Sequence, residues 1–123
     1  MVADTYSAIL GWLNQGTGNN NNTWGDNCDT AIFPTFEKAL AGSTSTAVTG
    51  GTTDWSTAGS NPPSAEAVAI NLMQIFTGTL TSQATIQIIN LKKFWFVYNN
   101  TSGAYSLGIK TTAGAICYIR QSS

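Results

Sequence analysis

Six carboxylates and a complete lack of histidine limit the chemistry that this chain of 123 residues could perform. Asp26 and Asp29 lie three residues apart, a spacing that on a helix puts both carboxylates on one face, where they could chelate a cation. A calcium site needs several converging oxygen ligands, so we favour a role for both in capping the N-terminus of a helix. The other carboxylates form no pair suited to glycoside hydrolysis: Asp4, Glu37, Asp54 and Glu66.

The absence of histidine removes the commonest general base and the commonest zinc ligand. Serine and threonine are abundant, but no base partner stands beside them to activate a hydroxyl. Cys28 and Cys117 are far apart and form no C-x-x-C motif, so we expect small buried apolar residues rather than a disulfide or a metal site. The sequence therefore predicts a protein that is not an enzyme and holds neither a metal nor a cofactor.

Charge is scarce, since charged residues make up 9% of the chain and its net charge is −1. Without a cluster of Lys and Arg, binding to nucleic acid through the phosphates is not expected. No apolar run approaches the ~18 residues of a membrane span, and the first residues lack the pattern of a signal peptide. With 42% hydrophobic residues, the composition favours a β-rich protein whose neutral surface is partly covered by neighbours.

Two regions are predicted: an N-terminal arm with an Asn-rich loop over residues 1–23, and a single β-rich domain over residues 24–123. The arm carries apolar residues at near-helical spacing: Tyr6, Ile9, Trp12 and Leu13. One or two turns of helix and an extended segment both fit this pattern, and either would be unstable alone. Packing on a neighbouring subunit and packing on the arm's own domain are equally compatible with it.

A short helix near residues 31–41 is predicted after the Asn-rich loop, from apolar residues at helical spacing. Gly42 follows the last of them, at the point where a helix favours a left-handed residue. Pro34 is tolerated only in the first turn of a helix. The helix therefore either starts near Ala31 or starts at Asp26 and kinks.

Strand patterns fill the remainder. Residues 45–49 suit a short edge strand, and residues 65–76 favour a strand over a helix, whereas Gly78 and residues 99–103 are predicted to lie in turns. The segment 94–98 is aromatic and β-branched, as in a central strand that is buried on both faces or at an interface. Alternating segments separated by short turns predict an antiparallel β-meander in a sandwich or small barrel: 84–89, 94–98, 104–110 and 115–120.

Two motifs resemble modules of tailed-bacteriophage tail fibres and related virion proteins. The first is Asn-Asn-Thr-Trp-Gly-Asp at residues 21–26, followed by a helical pattern that ends Glu-Lys-Ala-Leu-Ala-Gly at residues 37–42. The second, residues 94–114, is similar to their repeating strand–turn–strand segment. The resemblance implies a non-enzymatic structural subunit on the virion surface, a homotrimer assembled in the host cytoplasm. Pro34 departs from it, because the family's helix is usually uninterrupted there.

Three functions of different classes follow. The first is a virion structural protein, either a tail-fibre or fibre-base module that docks to the tail or baseplate, or a head decoration protein on the capsid. The second is a carbohydrate-binding module that meets host glycans through Trp24, Trp55 and Trp95. The third, a small polysaccharide hydrolase, lacks the carboxylate pair that it would need.

For the structural role, named contacts are predicted. The arm docks through Tyr6, Ile9, Trp12 and Leu13. Trp24 anchors its loop in a pocket of the partner, as large aromatic side chains do at interfaces. The aromatic segment forms core and subunit boundary through Phe94, Trp95, Phe96 and Tyr98.

Overall fold

The structure is a computed structural model that describes residues 3, 5–6, 13–16, 18, 21–55, 68–88 and 93–122. Its helical elements are α1 (Trp24–Asn27), a π-helical turn (Cys28–Ile32), α2 (Phe33–Ala41) and a 3₁₀ turn (Val68–Ile70). Its strands are β1 (Thr5–Tyr6), β2 (Leu13–Asn14), β3 (Ser43–Ala47), β4 (Gly51–Asp54), β5 (Met73–Thr79), β6 (Ala84–Ile88), β7 (Phe96–Ser102), β8 (Leu107–Thr111) and β9 (Cys117–Ile119). The predicted mainly β fold with a short helix after the Asn-rich loop is confirmed. None of the helices in this part of the chain is long and apolar enough to cross a membrane.

Six strands alternate between two parallel sheets. One sheet has the order β3-β5-β7, and the other has the order β4-β6-β8 with β9 added antiparallel to β8. Each pass of the chain gives one strand to each sheet, and the corners between the strands also stack. The Val48 N–H donates to the Thr77 carbonyl at 2.8 Å, and the Leu80 N–H donates to the Ser102 carbonyl at 2.8 Å. The passes therefore form three stacked coils.

Neither the antiparallel meander nor the predicted sandwich is confirmed, because these strands pair in parallel, and the described strands form no closed barrel. Among the described strands, only β1 with β2 and β8 with β9 pair antiparallel. The turns after β5 and β7 do not fold the chain back beside the strand that it has left. They redirect it into the other sheet, since parallel neighbours need a crossover between them. Hairpin turns and coil corners use the same Gly, Ser and Asn residues, so local sequence did not distinguish them.

The core lies between the two sheets. Phe76, Ile86 and Leu107 point inward from β5, β6 and β8 and are almost completely buried. The ring of Trp55 stacks on that of Phe76, with 5.7 Å between the ring centroids. Burial of each such side chain contributes about 1.5–3 kcal/mol, so the inward rows are the main apolar stabilisation of the coils.

The helical segment begins at Trp24, closer to the alternative start at Asp26 than to the start near Ala31, whereas α2 itself begins at Phe33. Pro34 lies in the first turn of α2, where its missing N–H is harmless, and the π-helical turn directly precedes it. The N-cap positions of these helices are held by Thr23, Asn27 and Ile32, so the predicted capping by Asp26 and Asp29 is wrong. Gly42 is extended at φ −67°, not left-handed. It is small for a different reason, since a Cβ there would lie 2.6 Å from the Cα of Lys38.

One predicted turn, residues 99–103, lies mostly within β7. Asn99 is only 2% exposed and faces the core, where an unpaired amide would be costly. Its Nδ2 donates to the Ile119 carbonyl at 2.8 Å, and its Oδ1 accepts from the Thr101 N–H at 3.1 Å. This bonding replaces the turn that an Asn-Asn pair otherwise favours.

Gly78 also lies in a strand rather than in a turn, near the end of β5. Its φ of 105° suits only glycine, and a Cβ would lie 2.6 Å from the Val48 carbonyl oxygen of the preceding coil. Of the strand predicted over residues 65–76, residues 65–67 lie outside the described residues. The prediction is wrong at Val68–Ile70, which form the 3₁₀ turn, and it is confirmed from Met73 onward. The predicted edge strand near residues 45–49 is confirmed as β3.

Candidate interaction surfaces

The outer side of the sheet β3-β5-β7 is apolar and exposed. Alternation along β5 and β7 turns Met73, Ile75, Phe96 and Tyr98 outward, and the strand register places Met73 beside Phe96 and Ile75 beside Tyr98. Phe96 is 62% exposed and Tyr98 is 49% exposed. We call these four residues the apolar face. The segment 94–98, predicted as a central strand, thus enters the edge strand β7 at Phe96, with Phe96 and Tyr98 on the surface of the described chain.

A second exposed apolar surface lies on α2. Phe33, Phe36 and Leu40 follow the i, i+3, i+7 spacing of one helix face, and all three are exposed. With Glu37 and Ala41 they line an open groove of about 540 Å³. We call these three residues the helix stripe. The sequence showed the apolar periodicity here, but periodicity alone does not say whether a stripe faces the chain's own core or a partner.

The apolar face and the helix stripe lie near the same end of the sheet. The Leu72 N–H donates to the Lys38 carbonyl at 3.0 Å, and the Met73 N–H donates to the Gly42 carbonyl at 2.9 Å. These bonds tie the last turn of α2 to the start of β5. Ser43, Met73 and Phe96 then follow one another across the three strands.

The N-terminal arm is described only in part. Tyr6 pairs with Leu13 in the register of β1 and β2, so the chain folds back on itself there. Leu13 is half-buried. Ile9 and Trp12, also predicted to dock, lie outside the described residues. The docking role of all four residues stays a prediction.

Trp24 is 66% exposed at the start of α1. Its carbonyl accepts from the Gln15 Nε2 at 3.2 Å, which connects the arm to the helical segment through the backbone. The indole itself is available to a partner, and its predicted seat in a partner pocket stays a prediction. Phe94, just before β7, is 86% exposed and is equally available.

Trp95 and Trp55 face inward, unlike Trp24. The Trp95 Nε1 donates to the Ala69 carbonyl at 2.9 Å, and the neighbouring Lys93 ammonium donates to the Ile70 carbonyl. Burial lowers the pKa of Lys93 from 10.5 to about 8. Trp55 is 9% exposed, so it cannot act as the sugar-stacking platform considered for it.

An apolar cavity of about 160 Å³ lies between the sheets, lined by Trp55, Gln74, Phe76, Ile88, Trp95, Val97, Ile109, Cys117 and Ile119. The Gln74 Nε2 donates to the carbonyls of Val68 and Asn71, each at 3.0 Å. The Gln74 Oε1 is buried and has no hydrogen-bond partner among the described residues. The two bonds from its amide nitrogen fix the 3₁₀ turn against β5, so we assign the Gln74 side chain a structural role.

Chemistry-bearing clusters do not form in the described part of the chain. No group of three or more Cys, Asp and Glu residues there is placed to hold a metal ion. Both cysteines are free thiols. Cys28 is half-buried and Cys117 is exposed. The expectation that both are buried is therefore wrong, and a disulfide between them is absent. Cys117 still turns one side toward the apolar cavity.

Comparison with protein-family models, with curated proteins and with solved structures gave no match.

Proposed function

We propose that this protein is a structural subunit of a tailed-bacteriophage virion, a tail-fibre or fibre-base module that assembles as a homotrimer and docks to other virion proteins. The observation that carries the proposal is the apolar face, together with the helix stripe beside it. Large exposed apolar patches on a folded domain mark interaction sites. The motif resemblance supplies the virion setting.

The energetics favour burial of the apolar face against another chain. Full burial of a side chain such as Phe96 or Met73 is worth about 1.5–3 kcal/mol relative to leaving it in water. Association must also offset about 4–15 kcal/mol of lost translational and rotational freedom. The four side chains of the face are already about half-buried, so their further burial adds roughly 3–6 kcal/mol in all, which reaches only the lower part of that range. We therefore include the helix stripe in the proposed interface.

Low charge supports the same proposal. In the apolar face and the helix stripe, no described residue is charged, and Glu37 is the one charged residue that lines the adjoining groove. Interface centres are depleted in charge and enriched in aromatic residues and Met, as these surfaces are.

Docking to the particle is assigned to the arm and to Trp24, which lie outside both surfaces.

The test is detection of the protein in purified particles. Particles of a phage that encodes this chain are purified by density gradient and digested, and the chain is quantified by mass spectrometry against a major capsid protein. We expect a fixed copy number per particle that is a multiple of three. Absence from intact particles would contradict the virion role.

Docking is tested separately with Trp24→Ala. Because Trp24 is exposed, we expect the free energy of unfolding to change by less than about 0.5 kcal/mol, while the copy number per particle falls. Thr30→Ala, on the same helical segment, is the matched control. Equal loss of folding and incorporation would make Trp24 a core residue.

A further inference from the structure

An open groove of about 540 Å³ lies at the last coil, between the turn 103–106 and residues 119–122. The turn connects β7 to β8, and the second wall consists of the end of β9 and the residues after it. This volume is in the range of small-molecule sites. The apolar face and the helix stripe contribute no residue to the groove.

Hydrogen bonds fix the two walls relative to each other. The Gln121 Nε2 donates to the carbonyls of Gly103 and Tyr105 at 3.2 and 3.3 Å. The Ser122 N–H donates to the Asn99 carbonyl at 2.9 Å. A site whose walls are already tied together loses little freedom when a ligand binds.

The groove offers a free cation and an aromatic ring. Arg120 is exposed, and its guanidinium makes no hydrogen bond or ion pair with any described residue. Tyr105 is 49% exposed. Ser106 and Ser122 add hydroxyl groups to the lining. A guanidinium, a ring face and hydroxyls together suit a ligand that has a carboxylate, a flat apolar face and several hydroxyls.

The distribution of charge along the chain favours an anionic ligand. All six carboxylate side chains lie within residues 1–66, where Lys38 is the only cation, for a net charge of 1 − 6 = −5. Residues 67–123 contain four Lys and Arg and no Asp or Glu, for a net charge of +4. No side-chain carboxylate therefore lies in this half of the sequence to pair with Arg120.

A peptide fits the groove less well than a sugar does. Extended peptides bind most often by adding a strand to a free sheet edge. Here the outer edge of β7 is already engaged at Asn99, whose carbonyl accepts from the Ser122 N–H and whose side chain donates to the Ile119 carbonyl. Apart from Gly103, Ala104 and Ile119 the lining is polar or aromatic, so it offers no row of apolar pockets for alternate side chains of a peptide.

We propose that this groove binds a carboxylate-bearing saccharide, such as a uronic acid residue of a glycan. Arg120 pairs with the carboxylate, the Tyr105 ring packs on the C–H face of the sugar, and the serine hydroxyls bond to its hydroxyls. This site goes beyond the proposed structural role and does not depend on the trimer, because it uses a different part of the molecule.

The test is a titration followed by amide NMR, with methyl glucuronide as the probe and methyl glucoside as its neutral match. We expect methyl glucuronide to shift the amides of residues 103–106 and 119–122, and to bind about tenfold more tightly than methyl glucoside. Arg120→Gln should remove that difference, and Tyr105→Ala should weaken both sugars. Lys110→Gln, a cation outside the groove lining, is the matched control and should change neither.

Several results would overturn the assignment. These are equal binding of the two sugars, no binding at millimolar concentration, an Arg120→Gln variant that binds as the unmodified chain does, or shifts outside the groove. A glutamate-rich peptide that binds as tightly as the sugar would assign the groove to acidic peptides instead. The molar mass of the same samples is measured in parallel, so failure of the groove is distinguished from failure of the trimer.

Discussion

The two sheets have similar inner faces and opposite outer faces. Inward, each presents apolar residues that meet in one core. Outward, the sheet β3-β5-β7 exposes Phe96 and Tyr98, whereas the sheet β4-β6-β8-β9 presents Thr85 and Lys110, and Tyr118 lies over Gly108. The core of the coils is formed by the inner faces alone. In our proposal the outer faces differ because the sheet β3-β5-β7 packs against a second chain, whereas the outer face of the other sheet meets water.

The largest expected effect separates inner from outer positions on the same sheet. Phe76→Ala removes an inward ring that is 1% exposed, and we expect the free energy of unfolding to fall by about 3–5 kcal/mol. Phe96→Ala, the same change on the outer side, should cost less than about 1 kcal/mol in the isolated chain. Urea denaturation of both variants at low protein concentration measures the difference. Similar losses would show that Phe96 is part of the core.

The next effect tests the stacked coils themselves. Gly78→Ala puts a Cβ at 2.6 Å from the Val48 carbonyl oxygen and requires φ 105°, so we expect a loss of about 1–3 kcal/mol. Gly25→Ala, whose Cβ would meet nothing within 4 Å, is the control and should be neutral or stabilising. Thermal unfolding ranks the two. In an antiparallel meander Gly78 would not meet Val48, so a neutral Gly78→Ala would argue against the parallel coils.

A smaller effect is expected from pH at the edge of the same sheet. The pKa of Lys93 is lowered to about 8, so between pH 8 and 10 the unfolded chain holds the proton that the folded chain has released. The contribution of Lys93 to the free energy of unfolding therefore rises with pH between pH 8 and 10, and it does not change with pH below pH 8. Because Lys93 is only half-buried, the rise should be about 1 kcal/mol.

The measurement is urea denaturation from pH 7 to 10, in which Lys93→Met should remove the rise while Lys110→Met retains it. A rise of the same size in the Lys93→Met variant would assign it to other groups.

The sequence predicted local structure better than it predicted connectivity. The alternation of Ile86 with Thr85 identified β6 and its inner face, because a period of two is a local property. The direction of strand pairing is not local, and the turn residues of a hairpin also serve a coil corner. Local sequence predicts a turn at Asn99, because the carbonyl that allows this side chain to be buried in β7 lies 20 residues away in the chain.

The sequence predicts which residues take part in the interaction surfaces, but not where these residues lie on the folded chain. The aromatic segment was recognised as core or interface, but its exposure follows from β7 being an edge strand, which required the topology. The helix stripe showed the same limit. Phe33 and Leu40 have the spacing of a packed face, and only the structure shows that both side chains are exposed.

The central claim is that the apolar face is covered by further copies of this chain, and molar mass in solution tests it most directly. Light scattering behind size exclusion, at several protein concentrations, should give three times the 13.0 kDa of one chain. Phe96→Ser should shift the equilibrium toward the monomer by at least about tenfold, and Thr85→Ser, on the outer side of the other sheet, should not. A monomer at every concentration, or a trimer unaffected by Phe96→Ser, would contradict the account.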